Sequence, residues 1–289
     1  MPAPFAADLC GYRAGKPNTS DSSKPESVEL GNCLFEKIGV EEGKESVKID
    51  HIWSHSMRDD LKEKLTATAP HLVVDRERAA DDFEQYAHLN ALKQLTADDS
   101  LEISAALERL QSHLSLEHGQ WDAEGAQLVQ ELSQAVERSN ARRRPLLDLL
   151  GDESLPRLDI AVHRPSMPEA HSDIPHLVAG LSLKWSLRTD RLQDPRTHGA
   201  KMAALRRGRM PHFAAVTMEP RPYFLARLGQ GTGDLDCVYH LHLPALVSAV
   251  DDFYTGNRSR MKLRDVFHRM VDQRRIRDYD DLVEYLGTL

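Results

Sequence analysis

A chain of 289 residues is long enough to bury one large core with decoration, and its 40% hydrophobic and 28% charged content is that of a soluble globular protein. No apolar run reaches the roughly 20 residues of a membrane span, which argues against a membrane-embedded chain. The net charge of −8 argues by itself against a nucleic-acid partner, yet the charge is segregated: residues 184–209 hold eight basic side chains against two acidic ones. A second basic run covers residues 258–277. Phosphates are neutralised locally, so an acidic far side does not cancel a basic groove. The three cysteines, Cys10, Cys33 and Cys237, are widely separated and form no CxxC pair, which points away from a disulfide framework or a zinc site. Residues 1–14 lack the basic start and apolar stretch of a secretory leader, so a reducing cytoplasm is the expected compartment.

In chain order, residues 1–30 are rich in Pro, Ser, Lys and Asp and read as an irregular arm. Apolar spacing predicts helices over residues 29–38 and 56–68, and a helical layer over about 76–150, where Tyr86, Leu89, Leu92 and Leu95 share one stripe. The character changes at Pro156. Residues 158–162 and 181–187 read as strands, the second following the turn signal Ala179-Gly180. A helix is expected to start at Asp194-Pro195, a favoured cap and first-turn pair, and to end near Arg207. Strands are expected over residues 212–218 and 235–243, with helices filling 246–289. The reading is a single α/β domain whose core, 156–245, holds a mixed central sheet flanked by helices, with the helical layer as an insertion.

Hydrolysis of a phosphodiester needs a metal ion held by carboxylates, an activated water and a cation near the developing charge on phosphorus. An Asp on one strand and an acid-x-Lys on the next supply these compactly. Asp159 and Ser182-Leu183-Lys184 have that layout, since residues two apart on a strand face the same side. Ser182 departs from it, standing where a second carboxylate is usual. Taken singly, such an Asp is more often a turn residue and such a Lys edge protection. Gly229 to Gly233 looks faintly like a phosphate-binding loop, but it lacks the Lys-Ser/Thr and a following helix, so it reads as a turn.

The segment after Lys184 decides between these readings. Trp185 is followed by Arg188-Thr189-Asp190-Arg191, and the chain also carries Gln85-Tyr86-Ala87-His88-Leu89, Gly208-Arg209-Met210-Pro211-His212, Val216-Thr217 with Glu219-Pro220, and a string from Gly231 to His240. In these strings the sequence resembles the NgoMIV type of CCGG-reading restriction endonucleases, whose signature is a Ser-x-Lys-Trp strand followed by Arg-Ser-Asp-Arg. The resemblance implies a restriction-endonuclease-like, PD-(D/E)xK core, Mg2+ as cofactor, and cleavage of double-stranded DNA at a palindrome centred on CCGG, GCCGGC being one such site. It further implies 5′ overhangs with 5′-phosphates, a homodimer or homotetramer, and a companion DNA methyltransferase. Asp159, Ser182 and Lys184 would be catalytic, with Asp159 and the Leu183 carbonyl on the metal. Arg188, Asp190 and Arg191 would read the inner bases; an arginine fork matches guanine O6 and N7, and a carboxylate accepts from cytosine N4. Asp21 and Ser23 resemble residues that touch the outer base pair.

Departures from the pattern are specific. His198 stands where the family has a metal-binding Glu, and nitrogen is a poor ligand for Mg2+. Asp59 falls where a further family Glu on an early helix is expected, and Asp194 is a nearby carboxylate whose expected role is capping. Leu158 replaces a Pro before Asp159, and Phe224 replaces an Arg after the Glu-Pro motif. A sequence-specific DNA-binding protein that has lost the metal shell is therefore the alternative to an active nuclease.

Overall fold

The computed structural model describes residues 3–90, 103, 105–110, 112, 123–150, 156–166, 173–231, 233–255 and 258–289, with backbone alone at 50, 123, 124, 126, 142–150, 189–191, 258 and 259. The chain divides into two compact units: Met1–Tyr86 with Leu155–Leu289, and Ala87–Ser154. In the smaller unit residues 105–110 are helical, as is α4 below, in accord with the helical periodicity.

In the larger unit the elements run α1 (Ala6–Leu9), β1 (Tyr12–Arg13), β2 (Lys16–Pro17), α2 (Pro25–Ile38), α3 (Ile49–Thr68) and β3 (Val73–Ala79); after α4 (Ala123–Leu150) of the smaller unit come β4 (Arg157–Arg164), β5 (His176–Lys184), α5 (Thr189–Leu205), β6 (His212–Thr217), α6 (Pro222–Gly229), β7 (Val238–His240), α7 (Leu243–Tyr254), α8 (Arg258–Asp272), β8 (Ile276–Asp278) and α9 (Tyr279–Gly287). The main sheet has the order β3-β4-β5-β6-β7-β8. Its first three strands are antiparallel and the pairs from β5 to β8 are parallel, which makes the sheet mixed. Helix α3 packs on β3 and β4, α5 on β6, and α9 on β7 and β8.

Burial explains the central strands. Every residue of β6, His-Phe-Ala-Ala-Val-Thr, is buried, as expected of a parallel strand covered on both faces. Ile160, Val162, Leu177, Leu181 and Phe213 are almost wholly removed from water, each contributing on the order of 1.5–3 kcal/mol of transfer free energy.

The fold departs from the periodicity reading in five places. Residues 76–79, expected as the start of the helical layer, complete β3, because Val73 to Ala79 pair antiparallel with Arg157 to His163. Arg and Glu are good helix formers, and on an edge strand the same charges face solvent. The expected strand over 235–243 is cut to Val238–His240 because Leu243 and Pro244 open α7. Residues 222–229 form α6 and 276–278 the strand β8, neither of which the pattern disclosed. Helix α5 begins at Thr189, not at Asp194, so Arg188 takes the cap position and Pro195 lies inside the helix. The cause is a continuous buried stripe, Leu192, Pro195, Gly199 and Met202, that reaches back past the proline. Gly199 is required on that stripe, since a Cβ there would meet the Asp234 carbonyl oxygen at 1.7 Å. Arg196, three residues earlier, fastens the same loop by an ion pair to Asp234 at 2.7 Å. Residues 1–30, expected to be irregular, carry α1 and the small β1-β2 hairpin, with Ala6, Leu9 and Cys10 buried.

Candidate active site

Strands β4 and β5 pair with Ile160 opposite Leu181, a register that sets Asp159 opposite Ser182 where the pairing ends. Just beyond, the Leu183 N–H donates to Asp159 Oδ2 at 2.6 Å, engaging one carboxylate oxygen. Asp159, Leu183 and Lys184 line a cavity of about 310 Å³ together with Glu77 of β3, Trp185, and Ile49, His51, Trp53 and Ser54 of α3. Trp185 packs edge-on against Trp53 at 5.2 Å, and its indole N–H donates to Asn18 Oδ1 at 3.3 Å. Lys184 Nζ lies 3.5 Å from Asp194 Oδ2.

Burial pushes the Asp159 carboxyl above the ordinary Asp range; the Leu183 N–H and the charges of Lys184 and His198 pull it back, while Glu77 raises it further. Burial, followed by the charge of Lys184, holds the His198 imidazole below its ordinary pKa against the pull of Asp194 and Asp159.

Of the expected site residues, the fold brings Asp159, Leu183, Lys184 and His198 together. Ser182 is buried and is not among the residues lining the cavity. Asp59 sits on α3 with its side chain 61% exposed, bonded to neighbouring Arg58 at 2.6 Å, and does not line the cavity. Asp194 caps nothing: five residues into α5, it faces Lys184 instead.

Periodicity missed Glu77. It lies on β3 beside Asp159, between Arg76, paired with Ile160, and Arg78, paired with Leu158, and it adopts φ +52°, a left-handed backbone unusual for a side-chain-bearing residue. Its Oε1 accepts from Arg76 at 3.0 Å. The only available signal was that edge-strand alternation puts Asp75, Glu77 and Ala79 on one side.

Among the described residues no three His, Cys, Asp or Glu side chains form a ready metal cage. The oxygen donors beside one another, Asp159, Glu77 and the Leu183 carbonyl, nevertheless suit Mg2+, which keeps several waters and takes one or two carboxylates plus substrate phosphate.

The second half of the site follows immediately. Leu187, buried, is gripped on both backbone groups: its N–H donates to Glu219 Oε2 at 2.7 Å and its carbonyl accepts from Arg221 Nη2 at 2.6 Å. Arg188, next along, is exposed. Asp21 lies within reach of both arginines: Arg221 Nη1 is 3.6 Å from its Oδ2, and Arg188 and Arg221 both draw its pKa down, behind the larger effect of hydrogen bonds from Ser23. Asp21 and Ser23 are thus joined, the Ser23 hydroxyl donating to Asp21 Oδ1 at 2.7 Å. The backbones of Asp190 and Arg191 lie in the first turn of α5; their side chains fall outside the described residues.

A mixed α/β sheet that holds an aspartate and a lysine at adjoining strand ends, with an exposed arginine four residues on, is a layout for metal-assisted phosphodiester chemistry on a nucleic acid. Residues 151–286 match the family described as NgoMIV restriction enzyme. The chain is 29% identical over 205 residues to the Type II restriction enzyme NgoMIV of Neisseria gonorrhoeae, a match covering 69% of this chain and 60% of that enzyme. The similarity to NgoMIV-type restriction endonucleases, first visible in short motifs, therefore extends through the whole core from β4 to α9.

Proposed function

We propose that the protein is a type II restriction endonuclease of restriction-endonuclease-like fold that cuts double-stranded DNA in a Mg2+-dependent reaction at a palindrome centred on CCGG. The observation that carries this reading is the convergence of Asp159 and Lys184 on one cavity, with Arg188 following on the same run of chain. Asp159, Glu77 and the Leu183 carbonyl would hold the ion. Mg2+ bound there would lower the pKa of its water and offset charge on the phosphate. Lys184 orients the attacking water and neutralises charge on phosphorus, and its contact with Asp194 keeps it aimed before DNA arrives. Arg188, Asp190 and Arg191 read the two G·C pairs of a half-site, and a second copy of the chain reads the other half by symmetry. A homodimer is the least that a palindrome requires; a homotetramer, 5′ overhangs with 5′-phosphates and a protecting methyltransferase follow from the likeness to the family. Among the described residues no helix is long and apolar enough to cross a membrane.

His198 and Ser182, standing where carboxylates serve in the family, favour one second reading: a protein that binds the site without cutting it. Plasmid DNA incubated with MgCl2, followed by sequencing of the ends, separates the two. Cuts at CCGG-centred sites support the nuclease; specific binding without cuts supports the second reading. Target reading has its own test in competition binding against all single substitutions of the duplex. Arg191→Ala is expected to lose about 1–3 kcal/mol of discrimination at one base pair, whereas Lys201→Ala, further along α5, weakens all duplexes alike. Equal loss for every duplex in Arg191→Ala would mean that the segment only grips the backbone.

A further inference from the structure

Glu219 is wholly buried, yet carries a carboxylate. Such a group is costly unless every lone pair is used. Here Oε1 accepts from Arg221 N at 3.1 Å and Arg221 Nε at 2.5 Å, while Oε2 accepts from Arg221 Nη2 at 3.0 Å and the Leu187 N–H at 2.7 Å. The backbone of Glu219 is pinned in turn by its N–H donating to Thr217 Oγ1 at 3.0 Å, at the end of β6. Arg221 spends its remaining capacity outward: Nη2 donates to the Leu187 carbonyl, Nη1 faces Asp21, and the guanidinium lies over the Phe224 ring at 4.1 Å. Phe224 is the residue that replaces a family arginine.

These contacts share one target. Leu187 lies three residues after Lys184 and directly before Arg188, and both of its backbone groups are held by this ion pair. One residue pair therefore ties the end of β6, the turn between cutting strand and reading segment, and the N-terminal arm through Asp21. Glu219 has no exposure and the Arg221 side chain is only 13% exposed, so most of the pair's contacts are made within the protein.

We propose that Glu219 and Arg221 are positioning residues that set the pose of residues 188–191 relative to Lys184 and couple that pose to the Asp21–Ser23 arm, so that sequence discrimination, more than general DNA affinity, depends on them. The proposal rests on the reading of 188–191 as the base-reading segment. A single lysine ammonium has no planar fork and cannot serve Glu219 and the Leu187 carbonyl together, although it preserves the charge that Glu219 needs.

The test measures dissociation constants in Ca2+ for a CCGG-centred duplex and for its single substitutions, together with melting temperature, for wild type, Arg221→Lys, Asp21→Asn and the exposed control Arg227→Lys. Arg221→Lys is expected to weaken the CCGG duplex at least tenfold while binding of substituted duplexes changes no more than about twofold. Asp21→Asn changes the exposed branch of the network and keeps the buried Glu219–Arg221 contacts; because Asp21 is itself expected near the outer base pair, its effect is read at the inner CCGG positions, where discrimination should shift in the same direction by a smaller factor. Arg227→Lys should match wild type. Unchanged discrimination in both Arg221→Lys and Asp21→Asn, or a uniform loss on all duplexes, overturns the positioning role. A wild-type protein that binds every duplex alike overturns instead the base-reading assignment beneath it.

Discussion

The proposed cutting end and the proposed reading end of the site lie within eight residues of each other and are held in opposite ways. Around Lys184 the groups are sparse and partly wet: one hydrogen bond to Asp159, a 3.5 Å contact to Asp194, and a carboxylate, Glu77, shared with Arg76. Around Leu187 the backbone is clamped on both sides by a buried ion pair whose oxygens are all engaged. On the proposed reading, the backbone is held most firmly where bases would be compared, and the charged groups are left to be engaged by ion and phosphate where the cut would be made.

The sharpest way to break the contrast is to empty the cutting end. Asp159→Ala or Lys184→Ala should lower cleavage at least about a thousandfold, on the order of 4 kcal/mol of barrier at ~1.4 kcal/mol per tenfold, while specific binding in Ca2+ persists. Single-turnover cleavage and gel-shift titration measure the two separately. Near-wild-type cutting by either variant would remove the catalytic assignment.

A smaller effect is expected one step further out, where the carboxylates differ in placement. Glu77→Gln should reduce cleavage about tenfold to a hundredfold and raise the Mg2+ concentration needed for half-maximal rate, whereas Asp59→Ala should leave both unchanged. His198→Glu, which returns an oxygen ligand near Asp159, should preserve or improve Mg2+-dependent cutting. Rates as a function of MgCl2 decide this; an Asp59→Ala defect with normal Glu77→Gln would reverse the assignment.

The mildest test touches the rim of the reading end. Asp21 is held below the ordinary carboxylate range first by the Ser23 hydroxyl and then by the Ser23 N–H. Ser23→Ala removes the stronger of the two, so the Asp21 pKa should rise. A carboxyl depressed on folding stabilises the fold above its unfolded pKa, and that contribution fades as pH falls through the folded value. In Ser23→Ala the folded pKa should move toward the unfolded one, so the contribution is smaller and its loss on acidification is complete at a higher pH; an NMR titration of Asp21 reads the pKa directly. An unmoved pKa would mean that the hydroxyl bond is not what holds Asp21 down.

Local pattern was sufficient for the parts of the fold where it and packing agree. The strands around Asp159 and Lys184 show in runs such as Leu-Asp-Ile-Ala-Val, and α2 shows in the spacing of Leu30, Leu34 and Phe35. It failed where tertiary partners override it. Charged Asp-Arg-Glu-Arg became an edge strand because β4 offered a ladder, and Pro195 was absorbed into α5 because a buried stripe continued through it. The site followed the same rule. The proximity of Asp159 and Lys184 was legible because their residue types and spacing place them at adjoining strand ends. Glu77 comes 82 residues before Asp159, and Leu187 and Glu219 are 32 apart, so only the assembled sheet could bring them together. Glu219 was visible within a family-like string, but nothing in the string disclosed that its carboxylate would hold a backbone amide on another strand's exit.

Lys184 and Arg188 share one short, unbroken stretch of chain, so a change to what is read is delivered straight to what cuts. On the proposed roles, replacing residues 188–191 to change the target would be turning two dials with one hand: a tilt of that turn would also move Lys184.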